Sequence, residues 1–278
     1  MMHLFHRVSQ HCSRITTEEY STSFASAIRL LHKDLRGPVY NIYGFVRFAD
    51  EIVDSFHDYD KPALLAKFRE ETFAAITQGL SLNPILHSFQ MTVNKYKIGP
   101  DLIEAFFRSM EMDLHRQEYD RANYETYIYG SAEAVGLMCL HVFCEGDKDQ
   151  YELLMPHARS LGAAFQKVNF LRDLGSDYGQ LNRMYFPGMD FGNFTSGMKR
   201  QIEMDITRDF RDAFGGIVLL PLKARFGVYV AYKYYLSLFS RIENAPPSHI
   251  LEKRIRLPNY SKLMILMRAG LKNQLNLI

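Results

Sequence analysis

Two aspartates, an arginine and a tyrosine recur at helical spacing in the segment NIYGFVRFADEIVDSF, residues 41–56. At about 100° per residue, Tyr43, Arg47, Asp50 and Asp54 lie within roughly 60° of one another on a helix. We call these four residues the first polar stripe. An exposed helix face often carries such an acidic pair, so a stripe that faces solvent is one interpretation. The rest of the segment is apolar nearly all round, which favours a buried helix whose carboxylates need a metal ion or a polar cavity.

A second polar stripe lies in LGAAFQKVNFLRDLGSDYGQLNRMYFP, residues 161–187. Gln166, Asn169, Asp173 and Asp177 fall within about 80° on a helical projection. Opposed carboxylate pairs can hold Mg²⁺, which takes oxygen ligands and completes its coordination with substrate phosphates. Three arginines near the stripes could contact phosphate through their guanidinium forks, although each alone is more typical of a surface or ion-pair residue. They are Arg47, Arg172 and Arg183. Together the stripes predict a site for a phosphorylated substrate.

The segment YETYIYGSAEAVGLMCLHVF, residues 124–143, is an apolar helix with a locally thin middle. Its small residues are Gly130, Ser131, Ala132, Ala134 and Gly136. Such residues either admit a neighbouring helix or leave space for a ligand, and close helix packing is the simpler interpretation. Most of the twenty Phe and seventeen Tyr residues are expected in the core. A subset could line a cavity and stabilise a carbocation through their ring faces.

The elements that position these residues are predicted to be helices. Proline repeatedly stands where a helix would begin, at Pro38, Pro62, Pro84, Pro100 and Pro221. Between these starts, apolar residues recur at helical spacing, and strand-like alternation is nearly absent. There is no repeat period and no convincing linker. The sequence therefore predicts about ten helices in a single all-α domain over residues 1–278.

Bulk composition excludes several classes of function. Thirty-three basic and thirty-one acidic residues give a net charge of +2, and no basic run interleaves with aromatics, so no nucleic-acid partner is expected. Cys12, Cys139 and Cys144 are an odd count without a C-x-x-C pair, which favours free thiols in a reducing compartment. We find no leader pattern and no apolar run of membrane-spanning length, so a cytoplasmic protein is expected. Residues 260–278 mix apolar and basic side chains; they either pack on the core, the simpler interpretation, or lie peripherally on the inner membrane.

These blocks resemble the squalene/phytoene synthase family, from about residue 15 to about residue 260. The stretch STSFASAIRLLHKDLRGPVYNIYGFVRFADEIVD is similar to the family's N-terminal block, and KVNFLRDLGSDYGQLNRMYFP to its second aspartate signature. YIYGSAEAVGLM resembles the family's small-residue helix. Within the family, the chain is most similar to bacterial phytoene synthases of carotenoid pathways. The resemblance implies an all-α isoprenoid synthase bundle around a central cavity.

The resemblance also implies roles for the matching residues. The implied metal ligands are Asp50, Asp54, Asn169, Asp173 and Asp177. The expected substrate-binding residues are Ser21, Ser23, Phe24, Arg47, Gln166, Arg172, Arg183 and Tyr185. The expected catalytic residues are Asp50, Asp54, Asp173 and Asp177, together with Tyr43 and Tyr129.

Three departures from the family pattern are visible. The first motif reads D-E-x-x-D, with Glu51 where many relatives carry Asp, and it keeps both outer aspartates. Ser131-Ala132-Glu133 replaces the common Val-Ala-Gly and places an acid near an expected apolar wall. One more residue than usual separates Asp177 from Arg183. Because Gly179 favours a helix end, we expect the loop to absorb this residue without rotating the second polar stripe.

The implied reaction is head-to-head joining of two geranylgeranyl diphosphates to phytoene through prephytoene diphosphate. Mg²⁺, or Mn²⁺ in its place, would act as a Lewis acid for loss of diphosphate, and a water-poor cavity would protect the cation. NADPH is not expected, because the route ends in proton loss. One alternative is a squalene or dehydrosqualene synthase that uses farnesyl diphosphate. Another is a non-catalytic assembly or scaffold relative, which would have no need of both stripes; a purely structural bundle would leave the paired acids unexplained.

Overall fold

The structure is a computed structural model that describes residues 2–114, 119–179, 185–188 and 194–275, and for residues 176–179 the backbone alone. These residues form thirteen α-helices and no strand, which confirms the predicted all-α fold. In chain order the helices are α1 Met2–Tyr20, α2 Thr22–Ile28, α3 Lys33–Ser55, α4 Lys61–Gln78, α5 Pro84–Tyr96, α6 Pro100–Asp113, α7 Arg121–Ile128, α8 Ala134–Cys144, α9 Lys148–Gly179, α10 Ser196–Ile217, α11 Leu222–Glu243, α12 Pro247–Glu252 and α13 Asn259–Gln274. A π-helical segment, Tyr129–Glu133, joins α7 to α8. That residues 1–278 form a single domain stays a prediction.

The helix starts follow the proline pattern in part. Pro62, Pro84 and Pro100 occupy the first turns of α4, α5 and α6, where a missing N–H is harmless. Pro38 lies inside α3, because that helix begins earlier, at Lys33. Pro221 is the residue before α11 rather than within its first turn. Proline therefore marks four of the five predicted starts, and the exact boundary depends on the residues around it.

Two apolar clusters make up the core. The first is centred on α3, α5, α6 and α8, where the Phe45 ring stacks on Phe89 with centroids 3.9 Å apart. The second lies among α9, α10 and α11 and contains Ile206 and Val230, both fully buried. The long helix α9 packs against α8 on one side and α10 on the other. It therefore forms the common wall between the two halves of the core.

The small residues after α7 allow close helix packing. A Cβ atom added at Gly130 would lie 2.2 Å from the Ala105 carbonyl oxygen of α6. One added at Gly162 of α9 would lie 2.7 Å from the Ala132 carbonyl oxygen. The packing interpretation thus holds at Gly130, and these contacts bring α6 and α9 against opposite sides of the π-helical segment.

One helical stretch of the described chain, Arg121–Cys144, is long and apolar enough to cross a membrane by length and composition alone. This differs from the expectation that no segment reaches that length. Half of the apolar window is buried inside the protein, and Met138 and Leu140 belong to the first core cluster. The stretch is apolar because it is a core helix of this fold.

Candidate active site

A cavity of about 530 Å³ lies between the two core clusters and is lined mainly by α3, α8, α9 and α11. Along α9 the lining runs from Leu154 to Arg172, about 27 Å at ~1.5 Å per residue. Most of this wall is apolar. The charged lining residues are Arg47, Asp50, Arg172 and Arg254, with His157 toward the opposite end of α9. The cavity therefore has one charged end and a long apolar body.

The first polar stripe reaches the charged end through α3. Tyr43, Arg47 and Asp50 all line the cavity, whereas Asp54, one turn further on, is exposed. Arg47 Nη1 lies 3.8 Å from Asp50 Oδ2, and the Arg47 guanidinium also pairs with Glu51. The Arg47 guanidinium carbon, Cζ, lies 4.3 Å from the centroid of the Tyr20 ring. Arg47 Nε is buried and has no hydrogen-bond partner among the described residues, so one donor of this fork is left for a ligand.

Asp50 is an acid whose surroundings oppose its charge. Its pKa is raised from the ordinary value to about 7, first by burial and then by the charge of Asp54; Arg47 opposes the shift and Asp113 adds to it. Asp113 ends α6 and accepts hydrogen bonds from Tyr127 at 2.7 Å and Tyr185 at 3.1 Å. Three neighbouring carboxyl groups, those of Asp54, Asp113 and Glu51, therefore oppose the ionisation of Asp50, which is the electrostatic situation that a bound cation relieves.

The second polar stripe meets the same end of the cavity from α9. Gln166 and Asn169 line the cavity, and Asn169 Oδ1 accepts a hydrogen bond from the Tyr235 hydroxyl at 3.3 Å. Asp173 is held by two arginines, by Arg172 in a two-bond fork of 2.6 and 3.0 Å and by Arg254 at 2.7 Å. The side chain of Asp177 and the whole of Arg183 lie outside the described residues. The two stripes therefore converge, as far as their side chains are described.

The chemistry of these donors fits a hard divalent cation. Asp50, Asp54, Asn169 and Asp173 offer oxygen atoms, the ligand type that Mg²⁺ prefers. Among the described side chains, no three His, Cys, Asp or Glu groups already converge on one point. Metal binding would therefore have to gather carboxylates that now interact with arginines or with one another.

Aromatic rings form the wall next to the charged end. The Phe24 ring lies 5.8 Å from Tyr43 and 5.7 Å from Tyr235, and Tyr235 stacks on Phe165 at 3.9 Å. Ser21 places Phe24 here, because its hydroxyl caps α2 by accepting the Phe24 N–H at 3.2 Å. Burial, the largest influence, raises the pKa of Tyr43 to about 12, so its phenol is neutral at ordinary pH.

Five of the expected site residues whose side chains are described do not line the cavity: Asp54 and Asp173, described above, and Ser23, Tyr129 and Tyr185. The Ser23 carbonyl accepts a hydrogen bond from Ser26, within α2. The Tyr129 ring lies beneath the Arg159 guanidinium at 5.3 Å, while Tyr127, two residues earlier, lines the cavity in its place. Tyr185 contacts Asp113 and stacks on Phe170 at 4.1 Å, so it supports an acid near the site.

Four residues at or beside the charged end were missed by sequence reasoning: Asp113, Tyr127, Tyr235 and Arg254. Tyr127 could have been found, because it lies one turn before Ser131 on the thin helix. Asp113 and Tyr235 have no acid three or four residues away along the chain, and Arg254 has no polar residue at that spacing. Only the fold brings them together.

The residues Ser131, Ala132 and Glu133, which depart from the family pattern, lie in two different environments. Glu133 turns away from the cavity and pairs with Arg159 at 2.5 Å, so its acid does not face the apolar wall. Ser131, Ala132 and Gly136 line the cavity. The small residues thus have two different effects. Gly130 allows close helix packing, whereas Ser131, Ala132 and Gly136 leave open space for the cavity. The Ser131 hydroxyl is buried and has no partner among the described residues.

Several known proteins are similar to this chain in sequence or in fold. A presqualene diphosphate synthase of Rhodopseudomonas palustris is 32% identical over 60% of this chain and 58% of its own length. A chloroplastic phytoene synthase of Zea mays is 27% identical over 97% of this chain and 66% of its own length. The chain thus spans less than two thirds of either relative. A crystal structure of a dehydrosqualene synthase superposes with a TM-score of 0.80 at 19% identity, covering 97% of this chain and 98% of that one, and it supports the fold.

The family model for squalene/phytoene synthase matches residues 17–201, more than half of the chain. This range contains both polar stripes and the thin helix between them. The names of the relatives cover three different products, so the comparisons agree on the family and differ on the substrate. Its members are isoprenoid synthases of the prenyltransferase type that act on prenyl diphosphates. This chain belongs to the squalene/phytoene synthase family.

Proposed function

We propose that the chain is a phytoene synthase, which joins two geranylgeranyl diphosphates head to head in carotenoid biosynthesis. The observation that carries the proposal is the meeting of the two polar stripes at one end of a long apolar cavity. A diphosphate requires the charged end, and a polyisoprenoid chain requires the apolar body. The α9 lining spans about 27 Å in all, and its mainly apolar part from Leu154 to Phe165 spans about 16 Å. The choice of the longer substrate follows the resemblance of the sequence motifs to bacterial phytoene synthases.

Arginine forks would hold the diphosphate groups. Arg47, Arg172 and Arg254 line the charged end, and Arg47 Nε has no partner among the described residues. Arg172 and Arg254 now neutralise Asp173. A diphosphate that competes for these two cations would release the Asp173 carboxylate.

The site has oxygen ligands for the expected metal ion. Asp50, Asp54, Asn169 and Asp173, with the expected ligand Asp177, would hold Mg²⁺ or Mn²⁺, whose positive charge lets diphosphate depart. Arg183 is expected to cover the same group. Phe24, Tyr43 and Phe165 would face the allylic cation with their rings. The apolar walls exclude the water that would otherwise quench it.

The test is the chain length of the product. Purified protein, freed of metal with a chelator, is supplied with Mg²⁺ and with geranylgeranyl or farnesyl diphosphate, each with and without NADPH. We expect phytoene from geranylgeranyl diphosphate, no dependence on NADPH, and no turnover without the metal. A strict need for NADPH would reassign the chain to squalene synthesis. No product from either substrate would favour the scaffold alternative.

A farnesyl-using enzyme is the second candidate. The presqualene diphosphate synthase of Rhodopseudomonas palustris and the dehydrosqualene synthase structure both favour it. The same experiment separates the two, because this candidate predicts faster turnover of farnesyl diphosphate and a shorter hydrocarbon.

We also propose a cytoplasmic location. All three cysteines are free thiols, and burial raises the pKa of Cys139 to about 12, so that thiol is unreactive. Free thiols without disulfides are typical of a reducing compartment. Fractionation of the source cells would check this, and recovery in an oxidising compartment would contradict it.

A further inference from the structure

The last described helix, α13, presents a continuous apolar face to solvent. It packs on α11 through Ala269, which is buried, and through Ile265 and Leu266, which are partly buried. The side chains that point outward are 43–67% exposed and fall within about 120° of the helix circumference. We call them the α13 outer face: Tyr260, Leu263, Met264, Met267, Leu271 and Leu275. Exposed apolar faces of this extent are uncommon unless they bind something.

The charges of the segment that carries this face have one sign. Residues 253–278 contain six Lys or Arg and no Asp or Glu. Arg254 pairs with Asp173 and Lys262 donates to Thr22, but four exposed cations have no carboxylate partner in the described part of the chain. They are Lys253, Arg256, Arg268 and Lys272. Burial is the main cause that lowers the pKa of Lys233 on α11, and the nearby charge of Lys272 lowers it further.

We propose that the α13 outer face docks on an anionic lipid bilayer. A helix with one apolar face bordered by cations is the pattern of an interfacial helix, in which apolar side chains enter the acyl boundary and cations contact anionic headgroups. A second copy of this chain fits less well. A two-fold interface would place the same uncompensated cations opposite each other.

The position of α13 gives this docking a consequence for the site. Lys262 Nζ donates to Thr22 Oγ1 at 2.8 Å, beside Ser21 of the cavity lining. Arg254, just before α13, lines the cavity and contacts Asp173. Docking of α13 would thus hold the charged end of the cavity close to the membrane surface. If the proposed function is right, prenyl diphosphates could enter from the bilayer.

The test is vesicle flotation of the full chain without substrate or metal. Vesicles of phosphatidylcholine alone are compared with vesicles in which part of it is replaced by phosphatidylglycerol. We expect the wild type to float with the anionic vesicles and to be released by salt. The triple variant Leu263→Gln, Met267→Gln, Leu271→Gln should lose at least roughly tenfold in partitioning. Its matched control replaces three exposed apolar residues elsewhere, Leu82→Gln, Leu153→Gln and Met204→Gln, which are 91%, 59% and 67% exposed, and should float like the wild type.

A charge variant tests the same face without changing its apolar residues. Arg268→Gln with Lys272→Gln should weaken binding to anionic vesicles by roughly tenfold, whereas Arg200→Gln with Arg211→Gln on α10 should not. Equal flotation of the wild type and the apolar triple variant would overturn the proposal. So would a dimer in sedimentation velocity that the triple variant dissociates while neither protein floats, because a second copy would then cover the face. The measurement needs no turnover, so failure of the proposed function would leave it unaffected.

Discussion

Asp50 lies where burial and neighbouring acids oppose its charge, with Arg47 as the opposing cation. An ionised carboxylate in that position weakens the metal-free fold rather than strengthening it. Its removal should therefore leave the fold intact and affect only what the charge binds. The effect of this substitution therefore distinguishes an acid that binds a ligand from an acid that stabilises the fold.

We expect Asp50→Asn to abolish turnover while helical content and the thermal unfolding midpoint stay close to wild type. The amide keeps the shape of the side chain and removes a charge that burial disfavours. Circular dichroism and product formation across a Mg²⁺ titration would measure both effects, with the exposed Asp58→Asn as control. Near-wild-type activity of the Asp50 variant at low Mg²⁺ would contradict the role of the first polar stripe.

A second prediction concerns the effect of the Ser131 hydroxyl on stability. Its hydroxyl is buried without a partner among the described residues, whereas the buried Ser109 hydroxyl donates to the Phe106 carbonyl at 2.7 Å. Ser131→Ala should raise the free energy of unfolding by about 0.5–1.5 kcal/mol, and Ser109→Ala should lower it by about 1 kcal/mol. Denaturant unfolding would show the opposite signs. A loss of stability in both variants would mean that Ser131 has a partner after all.

At the scale of elements, the π-helical segment is held between α6 and α9 by direct backbone approach. Gly130 and Gly162 permit this, because any larger residue would meet a carbonyl oxygen of the neighbouring element. The separation of these helices in turn sets how Ser131 and Ala132 face the cavity.

Gly130→Ala should therefore destabilise the protein by about 1–3 kcal/mol or more, since the added Cβ would lie 2.2 Å from the Ala105 oxygen. Gly270→Ala on α13 is the matched control. Nothing lies within 4 Å of its added Cβ, so this change should be neutral or stabilise by up to about 1 kcal/mol. Denaturant midpoints would measure both, and equal midpoints would argue against close packing at Gly130.

A histidine pair joins α1 to α5. The Ser81 N–H donates to His87 Nδ1 at 3.3 Å, so the His87 proton lies on Nε2 and is donated to His6 Nδ1 at 2.8 Å. Burial, and then His6, lower the pKa of His87. Neutral His87 is thus the form that the fold favours.

Because the pKa of His87 is lower in the folded protein, its contribution to stability is present above the ordinary histidine value of about 6.5 and is lost as pH falls below it. We expect the free energy of unfolding to decline between pH 7.5 and pH 5.5, values that bracket about 6.5. His87→Gln should flatten this decline, and His249→Gln, at an exposed position, should not. Parallel pH profiles for all three proteins would rule out the histidine pair as the cause.

For the whole molecule, the cavity depends on both core clusters. The far end of the α9 wall includes Leu154 and Ala158, which contact the first cluster, while Tyr235 belongs to the second. The length available to a substrate is therefore a property of the assembled bundle. No single helix determines it.

Ala158→Phe should shorten the apolar body of the cavity. We expect turnover of geranylgeranyl diphosphate to fall by more than tenfold, and turnover of farnesyl diphosphate to change little, because a bulky ring would meet only the longer chain. The ratio of the two rates is the measurement. Equal losses with both substrates would show general damage to the fold rather than a length effect.

The fold class and the two polar stripes could be predicted because helical periodicity is local information. Residues such as Asp50 and Asn169 can be identified from their helical spacing within one segment, and proline indicates where several helices begin. Arg254 and Asp113 could not be predicted in this way, because their partners lie in other segments of the chain. Arg254 contacts Asp173, 81 residues away, and Asp113 contacts Tyr127 and Tyr185, 14 and 72 residues away. Tyr129 was expected at the cavity, but it lies about 200° around the helix from Tyr127, and Tyr127 lines the cavity wall instead.

That π-helical turn has a consequence for how this chain tolerates length change. A π-helical turn holds one residue more than an α-helical turn, so it acts as a stored insertion within an otherwise continuous helical rod. Deletion of a single residue from 129–133 would restore regular winding, and because the wide turn already absorbs the extra residue, the helix beyond it would rotate little. Val135, Cys139 and Phe143 would then stay on the cavity wall. A deletion within the regular winding of α8 would instead rotate the residues after it by about 100° and turn them away from the cavity.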